Sequence, residues 1–345
     1  RPIPLHLQES VGKELDKLIK SGHLEKINNV DEDCFVSPAV ITIKNDGSVK
    51  IALDSRKLND SCIKMRPHMP NMEELINQIS VEITSNRNKP LIISKVDLDY
   101  AYGQMKLARE TSKHCVFAIT GGKINGYYRG KKGFYGLAHI PTIFQEKIDR
   151  TLEYSTPAWL DDIIIVTRGT REEHEKKLFG VLEKLEKAGY RASIKKSEFF
   201  LEKTKWLGYE IDKCGKKPNN EKVRAITELK PPENTKELKS FLGAIQYLAK
   251  FIPKLSERTE KLRRLLKKNV EWNWDAEKQE NFEKIKKFLT EKPCLAHYAK
   301  DRENIVTTDA SKTGLGITLW QKQFDESLKP IMFGSRYLND TEKNY

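Results

Sequence analysis

Three aspartates have the residue type and the placement to do metal chemistry. Asp161 and Asp162 stand side by side in "TPAWLDDIIIV", at the head of a β-branched run, and Asp97 closes the apolar stretch "LIISKVD". Adjacent carboxylates repel and Asp is a poor strand former, so the pair is locally unfavourable unless positive charge lies against it. If both segments are strands of one sheet, the three carboxylates meet at one of its edges. Oxygen ligands with no His or Cys beside them favour a hard cation, magnesium or manganese. Two such ions about 3.5–4 Å apart can activate an attacking hydroxyl and stabilise a leaving oxygen in phosphoryl transfer. From these residues alone a plainer reading stays open. Asp161-Asp162 would then be an ordinary hairpin turn, where Asp is common, and Asp97 the cap of a helix beginning near Tyr100.

The surrounding pattern supplies elements to hold such a site. Residues 91–96 read as a largely buried strand, and a strand, turn and strand are expected around 160–162. Apolar residues at helical spacing predict a helix over 11–19, stopped at Ser21-Gly22. "AVITIKNDGSVKIALD" predicts a hairpin, with strands at 40–44 and 49–53 around the turn 45–48. Helices are expected over 71–79 and, after Pro141, over 142–152. Thr170 and Glu173 form a capping box for a helix with Leu178, Val181, Leu182, Leu185 and Ala188 on one face, ending at Gly189. Strands flanking the aspartates with amphipathic helices between them indicate an α+β layer. Residues 218–289 read as mostly helical and strongly basic, and "NIVTTDASKTGLGITLWQ" and "PIMFGSRYL" as strands of a new sheet.

Composition bounds the class. The 345 residues suffice for two or three sub-domains, and no apolar run approaches membrane-spanning length. With no signal-peptide pattern either, a soluble intracellular protein without a membrane partner is expected. The five cysteines are far apart and form no CxxC pair, which argues against a zinc site or a disulfide framework. Lys and Arg outnumber Asp and Glu by 62 to 49, a net charge of +13 that suits either a polyanion partner or a merely lysine-rich surface.

The order "LIISKVDLDYAYGQMKL", "GFYGLAHIPTIFQEKID", "WLDDIIIV", "HEKKLFGVLEKLEKAGYRASIKKSEFF", "WLGYEI" resembles the successive polymerase motifs of a reverse transcriptase. The nearest type is the gypsy-type LTR-retrotransposon enzyme, a relative of the retroviral ones. "DSRKLND" is similar to its fingers signature, "KELKSFLGAIQYLAKFIP" to its thumb, and "TDASKTGLG" to the start of its RNase H domain. The resemblance implies a right-hand polymerase with a truncated RNase H-like α/β segment. Its parts would be fingers at 1–65 and 105–139, palm at 66–104 and 140–214, thumb and connecting helices at 215–300, and an incomplete RNase H domain at 301–345.

Residue by residue, the resemblance implies that Asp97 and Asp161 bind two Mg²⁺ ions, with Mn²⁺ as a substitute, and that Asp162 and the Leu98 carbonyl complete the acidic cluster. Tyr102 would be the aromatic gate against a ribose 2'-hydroxyl, Lys44 and Lys50 the triphosphate contacts, and Tyr135 and Gly136 the surface beneath the nucleotide. Lys196 would protonate pyrophosphate, with Lys195 beside it as a rival. Trp206, Leu207, Gly208 and Tyr209 would form the primer grip, and Trp159 would pack under the primer. The partners would be dNTPs, an RNA template, a DNA primer and an RNA–DNA hybrid, copied in a cytoplasmic particle or the nucleus; a dimer is left open. Asp309 matches the first RNase H carboxylate, but the chain stops at Tyr345, so no RNase H activity is expected of it.

Some positions depart from the family pattern. Trp159 stands where tyrosine is usual, Ser55 where an aromatic is common, and Lys50 where arginine is frequent. Phe134 replaces the usual proline, and Ala138 and His139 the usual lysine and asparagine. These departures motivate a second reading, a catalytically weakened copy of the fold serving as a nucleic-acid-binding or scaffold protein. A third, a palm-type nucleotidyltransferase making a small product, leaves the thumb-like helices unexplained.

Overall fold

In the computed structural model the chain is described except at Arg1, Asp33, 44–46, 64–68, Lys292, Asp340 and 343–345, and Lys123 by its backbone alone. It divides into two compact units. The first comprises Arg1–Asn71, Lys95–Ile165 and Lys176–Glu198, and the second Met72–Ser94, Val166–Glu175 and Phe199–Tyr345.

In the first unit a five-stranded sheet runs in the order Leu24–Ile27, Gly126–Gly130, Val116–Ile119, Val36–Ile43, Val49–Leu53. The pairing of Val36–Ile43 with Val116–Ile119 is parallel, and the other pairings are antiparallel. The helix Leu5–Lys20 covers this sheet. Its Val11, Leu15 and Leu18 follow the helical period and bury against Val49, Ile51 and Leu53, which share one face of their strand. The helix stops at Ser21 as expected, but starts before the expected 11–19, at a Pro4 that offers no side-chain cap. On the hairpin's second strand the alternation turns Lys50 away from the buried face, and the expected turn 45–48 lies partly outside the described residues.

A four-stranded sheet takes the order Ala158–Trp159, Asp162–Arg168, Leu91–Asp97, Glu198–Leu201. Ile163, Ile164, Ile165 and Val166 are all buried, which accounts for an apolar run without alternation. The helix Ile140–Thr151 carries its proline in the first turn and buries Ile140, Phe144, Gln145 and Ile148.

The second unit opens on the helix Met72–Thr84, longer than the 71–79 expected. It continues with a three-stranded antiparallel sheet, Thr204–Trp206, Tyr209–Asp212 and Gly215–Pro218. The basic region forms the helices Asn220–Thr227, Thr235–Tyr247, Leu255–Arg264 and Ala276–Thr290. Asn219, Asn234 and Asp275 cap three of them with side-chain oxygens. Asn304–Ala310, Gly314–Lys322 and Leu328–Tyr337 then form the antiparallel sheet read from the sequence. The Thr170–Glu173 capping box also forms, Thr170 N–H donating to Glu173 Oε2 at 2.8 Å. Among the described residues no helix is long and apolar enough to cross a membrane. The five cysteines are free thiols.

Candidate functional site

The catalytic candidates Asp97, Asp161 and Asp162 all belong to the first unit. Ala158 pairs with Ile163 and Trp159 with Asp162, so the hairpin turn is Leu160-Asp161. This corrects the expectation that both aspartates occupy the turn: Asp162 is already a strand residue. Leu160 adopts a left-handed conformation, φ 56°, that a branched side chain disfavours. Gln145 holds it there. The Leu160 N–H donates to Gln145 Oε1 at 2.7 Å, and Gln145 Nε2 donates to the Ala158 carbonyl at 3.0 Å and to Asp149 Oδ1 at 2.9 Å.

A single backbone bond ties this turn to the other carboxylate. The Leu98 N–H donates to the Asp161 carbonyl at 3.1 Å, setting the residue after Asp97 against the turn. Asp97 is fixed on its other side by Ser197 Oγ, which accepts from its N–H at 3.1 Å, and by the Ser193 N–H, which donates to its carbonyl at 2.8 Å.

The charges behave as an acidic cluster would. Burial raises the Asp161 carboxyl above its ordinary range, and the neighbouring Asp97 adds to the shift. Asp162 is pushed up to about 7, by burial first and then by Asp161 and Asp97, against the pull of the Lys95 ammonium. Lys95 itself pairs with Glu198 at 3.2 Å. Lys196 Nζ lies 3.1 Å from Asp97 Oδ1. Against the cost of burial, that hydrogen bond and the charges of Asp97, Asp99 and Asp161 hold the Lys196 ammonium above the usual lysine range.

Among the described residues no group of three or more His, Cys, Asp or Glu converges as a ready cage for a metal ion. The donor chemistry nonetheless fits a hard divalent cation. All three carboxylates offer only oxygen, and the raised Asp161 and Asp162 mark a buried negative cluster that a cation would relieve.

Beside the carboxylates lies a cavity of about 330 Å³ whose walls include Lys50, Leu98, Tyr135, Asp161 and Lys196. Lys196, rather than its neighbour Lys195, lines it. The Lys50 ammonium sits 3.2 Å from the centroid of the Tyr135 ring. The Tyr102 ring packs edge-on against Tyr135 at 5.3 Å and against Phe144 at 5.6 Å. Burial, with Asp161 adding, pushes the Tyr102 hydroxyl up to about 12. Gly136 has φ 114°, and a Cβ there would meet the Leu53 carbonyl oxygen at 2.2 Å. Only glycine lets Tyr135 hydrogen-bond its carbonyl to the Leu53 N–H, at 2.9 Å, so close to that strand. Lys44 lies outside the described residues.

The remaining candidates belong to the second unit, except Trp159, which is half-buried on the hairpin strand. "WLGY" forms a hairpin whose turn is Leu207, φ 48°, and Gly208, φ 81°. Trp206 and Tyr209 are buried, and the turn residues are half-buried. The Tyr247 hydroxyl donates to the Leu207 carbonyl at 3.1 Å, and Lys222 lies over the Tyr247 ring at 3.7 Å. Asp309 is ion-paired to Lys254 at 2.6 Å.

Sequence reasoning missed Gln145. Its one signal was an amide between Phe144 and Ile148 on the apolar face of an amphipathic helix, where a polar side chain must have a partner. It also missed Lys95, whose position inside an apolar strand places an ammonium near Asp162.

The chain is similar to known proteins along its length. The model of the family described as reverse transcriptase (RNA-dependent DNA polymerase) matches residues 43–211. The RNase H-like domain found in reverse transcriptase matches 274–345, and together the two cover more than half of the chain. The transposon Tf2-3 and Tf2-4 polyproteins of Schizosaccharomyces pombe are each 29% identical over the whole chain. The chain spans 25% of the length of each. Among solved structures, the foamy viral protease-reverse transcriptase dRH in complex with dsDNA superposes with a TM-score of 0.83 at 24% identity. That match covers 99% of this chain and 58% of the other. The foamy viral protease-reverse transcriptase in complex with an RNA/DNA hybrid gives 0.80 at 23% identity, over 99% of this chain and 44% of the other. At these identities the superpositions carry the fold, a right-hand polymerase followed by an RNase H-like segment.

Proposed function

The chain belongs to the reverse transcriptase family of gypsy-type LTR elements, and from that premise we propose that it copies RNA, and DNA, into DNA by nucleotidyl transfer at Asp97 and Asp161. In this reaction the 3'-hydroxyl of a primer attacks the α-phosphate of a dNTP and pyrophosphate departs. The observation that carries the reading is the bond from the Leu98 N–H to the Asp161 carbonyl, which joins two carboxylate-bearing segments far apart in sequence. Asp97, Asp161, Asp162 and the Leu98 carbonyl would hold two Mg²⁺ ions, with Mn²⁺ as substitute. Such ions, when bound, activate the attacking hydroxyl and neutralise charge on the leaving group.

The chain's own residues do the rest. Lys50 faces the cavity from the fingers strand and attracts the triphosphate. The Lys196 ammonium, on the cavity wall, is the proton donor to the departing pyrophosphate. Tyr102, braced by Tyr135 and Phe144, closes the sugar side against a 2'-hydroxyl. The Leu207-Gly208 turn grips the primer, and the Trp159 indole packs beneath it. The basic helices of residues 218–289 neutralise phosphates independently of sequence, so hybrid affinity should fall steeply with salt. Solved foamy viral relatives hold dsDNA and an RNA/DNA hybrid, which supports the same partners here. Asp309 would be the first carboxylate of an RNase H site.

The test is Asp161→Asn assayed on a primed RNA template with dNTPs and Mg²⁺. Loss of extension by more than about 10³-fold, with hybrid affinity retained, is expected of a carboxylate that touches the reacting groups. Extension that survives the substitution would refute the assignment.

A further inference from the structure

The cavity beside the carboxylates is also lined by residues to which the proposed reaction gives no role: Glu14 and His23, from the N-terminal helix and the segment after it, and Tyr100. Tyr100 follows Asp97 by three residues and has φ 48° and ψ 47°, the left-handed region, which is rare for a bulky aromatic. Such a conformation persists only where its surroundings over-determine it.

The surroundings are polar and specific. The Tyr100 hydroxyl donates to Glu14 Oε1 at 2.5 Å. Lys17 Nζ lies 3.5 Å from the same hydroxyl and 5.0 Å from the ring centroid, while pairing with Glu14 at 3.7 Å. The His23 ring packs on the Tyr100 ring at 5.5 Å. It also lies flush on the turn that follows: a Cβ on Gly103 would meet His23 Nε2 at 2.5 Å. That turn, Ala101–Gln104, carries Tyr102. Glu14 and Tyr102 are therefore linked through one hydroxyl and one short turn.

We propose that Glu14, acting through the Tyr100 hydroxyl, is a positioning residue that sets the depth of the nucleotide cavity and the placement of the Tyr102 ring. The inference rests on the polymerase reading and adds to it a control from the N-terminal helix, which lines the same cavity. Without the Glu14 acceptor Tyr100 loses the contact that fixes its backbone, and the turn bearing Tyr102 relaxes. Nucleotide binding and sugar discrimination then suffer together, while Asp97 and Asp161, held by their own bonds, keep their chemistry.

The experiment compares Glu14→Ala, Tyr100→Phe and Glu14→Gln with the parental chain in primer extension, measuring KM and kcat for a dNTP and the corresponding rNTP. Glu14→Ala and Tyr100→Phe should each raise KM for the dNTP by about tenfold, the effect of one charge-assisted hydrogen bond, with kcat changed less than about twofold. The preference for dNTP over rNTP should fall in both. Glu14→Gln keeps an acceptor oxygen without the charge and should recover most of the roughly tenfold loss in KM. An unchanged KM in Glu14→Ala overturns the proposal, as does a loss of kcat alone, which reports fewer folded molecules. Glu14→Gln as damaged as Glu14→Ala overturns it too, since charge and not the hydrogen bond would then matter. If the parental chain extends no primer, the polymerase reading itself fails and this one with it; if it extends and the variants match it, only this one fails.

Discussion

Replacing Gln145 by leucine tests how the turn that bears Asp161 is held. The substitution keeps the volume of a buried side chain and deletes three hydrogen bonds, to Leu160 N, the Ala158 carbonyl and Asp149. Ala158 is 1% exposed, so losing the amide that its carbonyl accepts from costs about 1–3 kcal/mol. The half-buried Leu160 N–H adds about 1 kcal/mol, and the more apolar leucine returns about 1 kcal/mol. The net loss is about 2 kcal/mol, which for a chain of this size lowers Tm by roughly 3 °C. The functional effect should be larger. Gln145 bonds the left-handed Leu160 directly, and a turn displaced by about 1 Å misplaces Asp161 enough to cost about 10²-fold in kcat. Calorimetry gives the first quantity and primer extension at saturating dNTP the second. A variant that loses the expected Tm but keeps kcat within about twofold would refute the claim that Gln145 positions the site.

Other consequences follow from single residues. Leu207→Asn creates an Asn-Gly turn matched to two positive φ angles, and should stabilise the hairpin by about 1 kcal/mol in urea unfolding. A gain in stability with weaker hybrid binding would mean that the leucine side chain touches nucleic acid. Tyr102→Ala should raise ribonucleotide incorporation by about tenfold or more; no change in that ratio would dismiss the gate. His297 is 2% exposed between Ser80 Oγ and the Asp212 carbonyl. Burial lowers its pKa to about 4. Between pH 6.5 and 4 the unfolded chain takes up a proton that the folded chain refuses, so stability present above pH 6.5 is lost as pH falls, by about 3 kcal/mol. His297→Gln should flatten that part of the pH profile relative to the parent, and an identical profile would exclude the histidine as its source.

The legible parts of the molecule were those with a local cause. The 163–166 run had to be a buried strand because no other element hides four consecutive apolar β-branched residues between turn signals. The Thr170 capping box was read from side-chain chemistry within a few positions, whereas the 206–209 hairpin entered only with the resemblance. Gly136 was recognisable as a close approach, but not the Leu53 carbonyl that it approaches, which is brought there by a different strand. The pairing of Asp97 with Asp161 came from motif order, since no period in the sequence links the two segments. Tyr100 gave no sign at all: an aromatic before Ala-Tyr-Gly offers no reason to expect left-handed backbone, and its cause, Glu14, lies on a helix far upstream.

These failures share a physical pattern. Three backbone segments beside the candidate site leave the ordinary φ range, at Leu160, Tyr100 and Gly136. Each is held by a side chain from a helix: Gln145 on Ile140–Thr151, Glu14 on Leu5–Lys20, and Asn59 on Arg56–Ser61. Asn59 Nδ2 donates to the Gly136 carbonyl at 2.9 Å while its Oδ1 accepts from the Ala138 N–H at 3.0 Å, the same two-handed grip that Gln145 applies to the hairpin. A helix is stiff and its side chains are tied into packing, so an amide or carboxylate projecting from it can impose a conformation that the loop's own sequence disfavours. Local propensity is overruled at Leu160, Tyr100 and Gly136 by the side chains that hold them. It follows that Asn59→Ala, which leaves the fold's apolar contacts alone, should harm nucleotide affinity more than it harms stability, as Glu14→Ala is expected to do.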